Sequence, residues 1–226
     1  MSRLHKLLKK LRRRPAGKRV GMRRPTYAAP LHDAAKEDEL RTILIADPNN
    51  REAFTELAEL VWHRTVESAE HEHYEDALSA ESSQNPEEAA QDAAHNAVWS
   101  LAEELAGNPH AWYPLVELAR LSVHEDRDGA MRRLTTAAER DDSGKALAEA
   151  LKMLRDAELP ADALALGMGH WRVQDHEPEA GKQLIYAAVE AGRLAEARRH
   201  FEALIEHPDT KYVGKIRSEL EGLLNE

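Results

Sequence analysis

Gly192-Arg193-Leu194-Ala195-Glu196-Ala197-Arg198-Arg199-His200-Phe201-Glu202-Ala203-Leu204-Ile205-Glu206-His207-Pro208 is the stretch that decides the fold. Glycine opens it and proline closes it. Between them Leu194, Ala197, Phe201 and Leu204 fall on one face of a helix over 194–206. Ala197 has counterparts upstream at Ala163, Ala130 and Ala97, at spacings of 34, 33 and 33 residues. Four residues after these alanines lie Phe201, Gly167, Leu134 and Leu101. Twelve residues after them lie Asp209, Asp175, Asp142 and Pro109, each in a loop. The physical sense is packing. A small residue lets two helices approach, and a large one a turn later fills the groove beside it. If Phe201 is sealed, Phe201→Ala costs about 3–5 kcal/mol.

Working outward, helices alternate with short punctuation. The pattern predicts helices over 87–106, 110–124, 130–140, 145–157, 161–172, 178–190, 194–206 and 211–224. Two more precede them: one beginning at an Asp33 N-cap and stopping at Asp47-Pro48-Asn49-Asn50, and a second carrying Ala53, Phe54, Leu57, Ala58 and Val61 on one face. Residues 67–85 break the pattern and read as an acidic, mobile insertion, extended or partly helical. No segment alternates like a strand. First helices repeat as well: Ala53-Phe54-Thr55-Glu56-Leu57-Ala58 matches Ala111-Trp112-Tyr113-Pro114-Leu115-Val116.

A helix pair recurring every 33–34 residues resembles the tetratricopeptide repeat family. The closest likenesses are Asp47-Pro48-Asn49-Asn50-Arg51-Glu52-Ala53-Phe54 through Leu57-Ala58, and Gly192-Arg193-Leu194-Ala195-Glu196-Ala197 through Phe201, Leu204 and Pro208. The resemblance spans roughly residues 34–224. It implies an all-α, right-handed superhelical array of antiparallel helix pairs, an α-solenoid, occupying residues 33–226. First helices would line a concave groove that grips a protein or peptide. By phase, that groove takes Thr55, Glu59 and Trp62, then Tyr113, Glu117 and Arg120, then Lys145, Ala148, Lys152 and Arg155, then Lys182 and Tyr186. The Lys/Asn clamp of chaperone-binding relatives is not reproduced, since Thr55 and Glu59 stand there. Gly167 also departs from the pattern, which favours a large residue.

The 226 residues hold 31 Lys and Arg against 41 Asp and Glu, but the net charge of −10 is not evenly spread. Residues 1–32 carry Arg3, Lys6, Lys9, Lys10, Arg12, Arg13, Arg14, Lys18, Arg19, Arg23 and Arg24 and no acid. Residues 65–119 carry twelve acids and no Lys or Arg. Such segregation concerns partners rather than folding. Leu4, Leu7, Leu8 and Leu11 share a face, so residues 2–14 read as a short basic helix, followed by a flexible linker to Pro30. No apolar run follows the basic start, which argues against a secretory signal and for a cytoplasmic protein. The arm is the candidate polyanion-binding element: arginine predominates, and its fork suits phosphate.

Chemistry-bearing patterns are sparse. Zero Cys excludes disulfides, thiolate metal sites and a Cys nucleophile. His71 and His73 stand two apart, so a helix points them away from each other. His170 and His176 flank Trp171 and read as packing. Gly167-Met168-Gly169-His170 lacks the strand and the Lys-Ser/Thr ending of a phosphate loop, and reads as a kink or a close helix approach. Trp62, Trp99, Trp112 and Trp171 sit at helical spacing and read as core. The expectation is a non-enzymatic adaptor without cofactor or small-molecule substrate. It holds a partner protein in the groove while the arm contacts a polyanion. The alternatives are an RNA- or ribosome-associated protein led by its arm, and peripheral membrane attachment through the basic leucine-faced helix.

Overall fold

A computed structural model of the chain describes residues 31–76 and 85–225, with side chains at 33–69, 85 and 87–225. The basic arm and residues 77–84 lie outside the described residues. Among the described residues there are ten α-helices and no strand, so the protein is all-α. The chain divides into two compact units, the first ending at Asn108 and the second beginning at Pro109.

In the first unit, α1 (Leu31–Ala46) packs on α2 (Arg51–Asp76), and α2 on α3 (Pro86–Ala106). Their apolar stripes make the core: Leu40 and Leu44 from α1; Phe54, Leu57, Val61 and Trp62 from α2; Ala90, Ala94, Val98 and Leu101 from α3. Asn50 caps α2 by accepting from the Ala53 amide at 3.0 Å. Asn85 accepts from the Glu87 amide at 3.3 Å, with Pro86 in the first turn of α3. Two expectations change here. Asp33 lies inside the first turn of α1, not before it, and its carboxylate suits the positive end of the helix dipole. α2 does not stop near 67 but continues to Asp76. No Gly or Pro interrupts it, and Thr65 and Ser68 donate back to the carbonyls of Val61 and Arg64, both at 2.8 Å. These polar residues satisfy themselves within the helix after the apolar stripe has run out.

The second unit holds α4 (Tyr113–Ser122), α5 (Arg127–Glu139), α6 (Lys145–Asp156), α7 (Pro160–His170), α8 (Pro178–Glu190), α9 (Leu194–Ile205) and α10 (Thr210–Asn225). Each of α4, α6 and α8 packs on the helix that follows it, and also on the first helix of the next pair. α5, α7 and α9 in turn pack on the first helix that follows each of them. Ala130, Ala163 and Ala197 are fully buried at the matching points of α5, α7 and α9. Around them Leu134, Leu147, Leu151, Leu154, Leu184, Ile185, Leu204 and Leu220 are sealed.

The alanine register does not extend to the first unit. Ala97 is partly exposed, and the sealed residues of α3 are Ala90, Ala94 and Ala102. Phe201 is also only partly buried. It sits on the flank of the Ala197–Leu204 stripe, on the last second helix among the described residues. Its truncation therefore costs less than the about 3–5 kcal/mol of a sealed ring.

Gly167 is a close approach within a regular helix. A Cβ there would stand 2.6 Å from Leu184 Cδ1 and 3.3 Å from both Leu151 methyls. Both leucines are sealed, so the space a large residue takes in other pairs is already filled from α6 and α8. Gly169, two residues on, has open space around it. Gly167→Ala should destabilise the protein by about 1–3 kcal/mol through overpacking. Gly169→Ala should leave stability unchanged or raise it by up to about 1 kcal/mol through helix propensity. Urea denaturation of the two variants checks the contrast.

Candidate partner-binding face

The first helices of the second unit bring several predicted residues together. α8 places Glu179, Lys182, Gln183, Tyr186 and Glu190 along one side, because they recur every three to four residues opposite buried Ala180, Leu184 and Ala188. α6 offers Arg155 from one flank, and α10 offers Tyr212 and Glu219, two turns apart, from the other.

The groups form one polar seam. Arg155 binds Glu190 through both arms of its fork, Nη2 at 2.5 Å and Nε at 2.8 Å. Its remaining nitrogen, Nη1, donates to Gln183 Oε1. Gln183 passes a hydrogen bond on to Glu179 at 2.6 Å, and the Tyr212 hydroxyl donates to the other oxygen of Glu179. The Tyr186 hydroxyl donates to Glu219, whose second oxygen lies 3.8 Å from Lys182 Nζ. Both cations lie near the Tyr186 ring, with the Arg155 guanidinium carbon 4.5 Å and the Lys182 ammonium 5.7 Å from its centroid. Burial, and then the bond to Glu219, push the Tyr186 phenol up to about 12. Burial and the bond to Glu179 push Tyr212 higher still.

Other predicted residues have different fates. Tyr113 and Glu117 are buried on α4, and Arg120 pairs with Glu117 at 3.3 Å. Burial opposes the Arg120 charge, but Glu117, Tyr113 and Glu149 outweigh it and raise its pKa. Lys145 is exposed and reaches Glu177 at 3.3 Å. Ala148 is buried. Lys152 is exposed, with no hydrogen bond or ion pair among the described residues. Thr55 and Glu59 are partly exposed on α2 in the first unit. Trp62 is only 5% exposed there and is core, not groove. The expected cationic floor is thus a neutralised seam in which Arg155 and Lys182 already hold acids. The eleven arm cations lie outside the described residues.

Sequence reasoning missed Glu179, Gln183, Glu190, Tyr212 and Glu219. A signal for four of them existed. Tyr186 and Glu219, like Tyr212 and Glu179, are 33 residues apart, and Arg155 and Glu190 are 35 apart. These separations equal one repeat or nearly so. The first unit has its own unforeseen network. Glu37 joins Arg64 at 2.6 Å and Arg41 at 3.0 Å, and Arg41 continues to Glu104 at 3.0 Å, so all three helices are tied. Burial works against the Glu37 charge, but the bonds from Arg41 and Arg64 prevail and hold its carboxyl below the ordinary value.

Among the described residues no group of three or more His, Asp or Glu is placed to hold a metal ion. No described helix is long and apolar enough to cross a membrane. No protein-family model matches the chain, and no curated protein matches it.

The tyrosines give a direct check of the seam. Tyr186 should ionise near pH 12, not near the ordinary value of about 10. Because its folded pKa is raised, the stabilisation is complete below about pH 10 and fades as pH rises through the folded value. Near-ultraviolet titration should find Tyr186 and Tyr212 among the late phenols, and Tyr186→Phe should remove one late phenol.

Proposed function

We propose that the protein is a non-enzymatic, cytoplasmic helical-repeat adaptor of tetratricopeptide type, a right-handed solenoid of helix pairs. It holds a partner protein or peptide on the face of its first helices, and its basic arm contacts a polyanion. The observation that carries this reading is the half-exposed stripe shared by α6, α8 and α10, where Arg155, Lys182, Tyr186 and Tyr212 are oriented by neighbours rather than sealed in the core. A side chain fixed before binding loses less entropy on binding, so such a stripe suits recognition. Lys152, exposed one turn before Arg155 on α6, adds a cation with no ion pair among the described residues. The first-helix contacts within the second unit, and three sealed alanines at spacings of 33 and 34 residues, support the repeat reading.

A pull-down from native lysate tests the groove. Capture should survive deletion of residues 1–30 and fall at least about tenfold with Lys152→Glu combined with Tyr186→Ala, about 1.4 kcal/mol of lost binding. Capture that follows the arm instead favours an RNA- or ribosome-associated protein, and flotation with anionic liposomes favours membrane attachment.

The arm is tested separately. Eleven cations without an acid over residues 1–32 attract any polyanion, and RNA is the favoured target. If about six phosphates are neutralised, log K should fall against log salt with a slope of about −4 for single strands. Deleting residues 1–24 should abolish the binding while circular dichroism of the helical body is unchanged.

A further inference from the structure

Two buried histidines lie where three loops of the second unit meet. His207, in the α9–α10 loop, is 6% exposed, and His176, in the α7–α8 loop, is 3% exposed. His207 Nε2 lies 2.8 Å from the His176 carbonyl oxygen, so this nitrogen carries a proton and donates it. His207 Nδ1 accepts the Asp209 amide at 2.9 Å, so this nitrogen carries none. The Asp209 carboxylate accepts from the Tyr212 amide at 2.9 Å and caps the first turn of α10. The neutral ring is therefore fully used, one nitrogen toward α8 and the other toward the start of α10.

His176 continues the chain of contacts. A Cβ at Gly144 would lie 2.5 Å from its own Cβ, so the histidine is seated against the loop that begins α6; glycine is required there, at φ +82°. The neighbouring Glu177 amide donates to the Ser143 carbonyl at 2.7 Å. His176 Nε2 is buried with no partner among the described residues.

We propose that His176 and His207 form an acid-sensitive latch that holds α10 to the rest of the second unit only while both rings are neutral. A second proton on His207 would sit on Nδ1, facing the Asp209 N–H. Two donors cannot share that bond, and the cap of α10 loosens. A second proton on His176 would charge a ring sealed from water. The charged groups around it are Arg172 and Asp175 of its own loop and Asp141 and Asp142 from the α5–α6 loop. The three acids favour the proton, while burial and Arg172 oppose it and prevail, holding the ring below the ordinary histidine range. Glu206 and Asp209 flank His207 in its own loop, and Glu177 follows the carbonyl that it binds. With the folded proton affinity of His176 lowered, the unfolded state binds more protons at that ring, so its contribution to stability falls as pH drops below about 6.5. Release of α10 would take Tyr212 and Glu219 from the seam and uncover Glu179, Lys182 and Tyr186. The latch is independent of whether the face binds a partner.

Hydrogen–deuterium exchange on the full chain tests it, comparing α10 with α6 at about pH 7.5 and about pH 5.5, on either side of the histidine range. After correction for intrinsic rates, protection of α10 should fall about tenfold or more at the lower pH, while α6 falls less. His207→Gln keeps an N–H for the His176 carbonyl but cannot titrate, so its α10 should lose clearly less protection at the lower pH than that of the unaltered protein, the remainder coming from His176. Should that variant leave α10 open throughout, ring nitrogen spectra of the unaltered protein decide. The latch requires the Nε2–H tautomer of His207 at neutral pH, and a second proton gained in the same window in which α10 loses protection. Equal protection of α10 in the unaltered protein at both pH values overturns the proposal, as does a His207 titration separate from the loss.

Discussion

Helices in the second unit pack at the separation that alanine and glycine permit. Ala130, Ala163 and Ala197 are sealed where a second helix meets its neighbours, and Gly167 leaves no room for even one methyl beside Leu184. Tight crossings of this kind fix where each first helix lies beside the next, because the leucines that fill the remaining space have few alternative arrangements. Trp171 obeys the same limit at Gly181, where a Cβ would meet its ring at 2.6 Å. A larger residue at any of these points shifts the spacing of the first helices as well as lowering stability.

That spacing makes the polar seam. Arg155 reaches Glu190, Tyr212 reaches Glu179 and Tyr186 reaches Glu219 because adjacent first helices stand one side chain apart. The individual pairs contribute little to stability, about 0–1 kcal/mol each at this exposure. Their larger effect is orientation: a fork held at both ends and a ring held at its hydroxyl do not wander among rotamers. Glu190 and Glu219 neutralise Arg155 and Lys182, and Glu179 is taken up by Gln183 and Tyr212, so the seam presents shape and hydrogen-bonding groups. Lys152, exposed on α6, has no ion pair among the described residues.

Helix content was legible because Pro, Gly and Asp punctuate the chain at almost every boundary. The predicted segments at 87–106, 145–157, 178–190 and 211–224 agree with α3, α6, α8 and α10 to within a residue at each end. The 33–34-residue phase located Ala130, Ala163 and Ala197 in the core, since burial of a small residue at a helix crossing is a local rule applied repeatedly. It failed at Ala97 because the phase was carried into a unit with a different register. Its groove assignment of Trp62 failed while the core reading of the same residue held, because a large aromatic on a first helix suits groove and core equally until the neighbouring helix is placed. The end of α2 was misjudged because loss of apolar periodicity marks the end of burial, not the end of a helix. In the site, Arg155, Lys182 and Tyr186 were found and their partners were not. The missing step was to pair each cation or phenol with a carboxylate about one repeat away, a distance too long for helix-local rules.

If the arm takes polyanions as proposed, the two halves of the charge distribution would bear on one another through mass action. α3 holds Glu87, Glu88, Asp92, Glu103 and Glu104 and no Lys or Arg. Glu104 is held by Arg41, but the side chains of Glu87, Asp92 and Glu103 are exposed. An arm of eleven cations belongs to the same chain. A polyanion that engaged the arm, as proposed, would compete with these carboxylates at an effective concentration set by the intervening chain. Salt weakens both attractions, but it weakens the phosphate contacts more, because a nucleic acid has the denser counterion atmosphere. Neutralising the α3 acids should therefore tighten polyanion binding without touching the arm, most clearly for the weakest ligands. Affinity of the unaltered chain and of a Glu87→Gln, Asp92→Asn, Glu103→Gln variant for single-stranded RNA, measured across a salt series, would distinguish this competition from an arm that acts alone, for which the two salt series coincide.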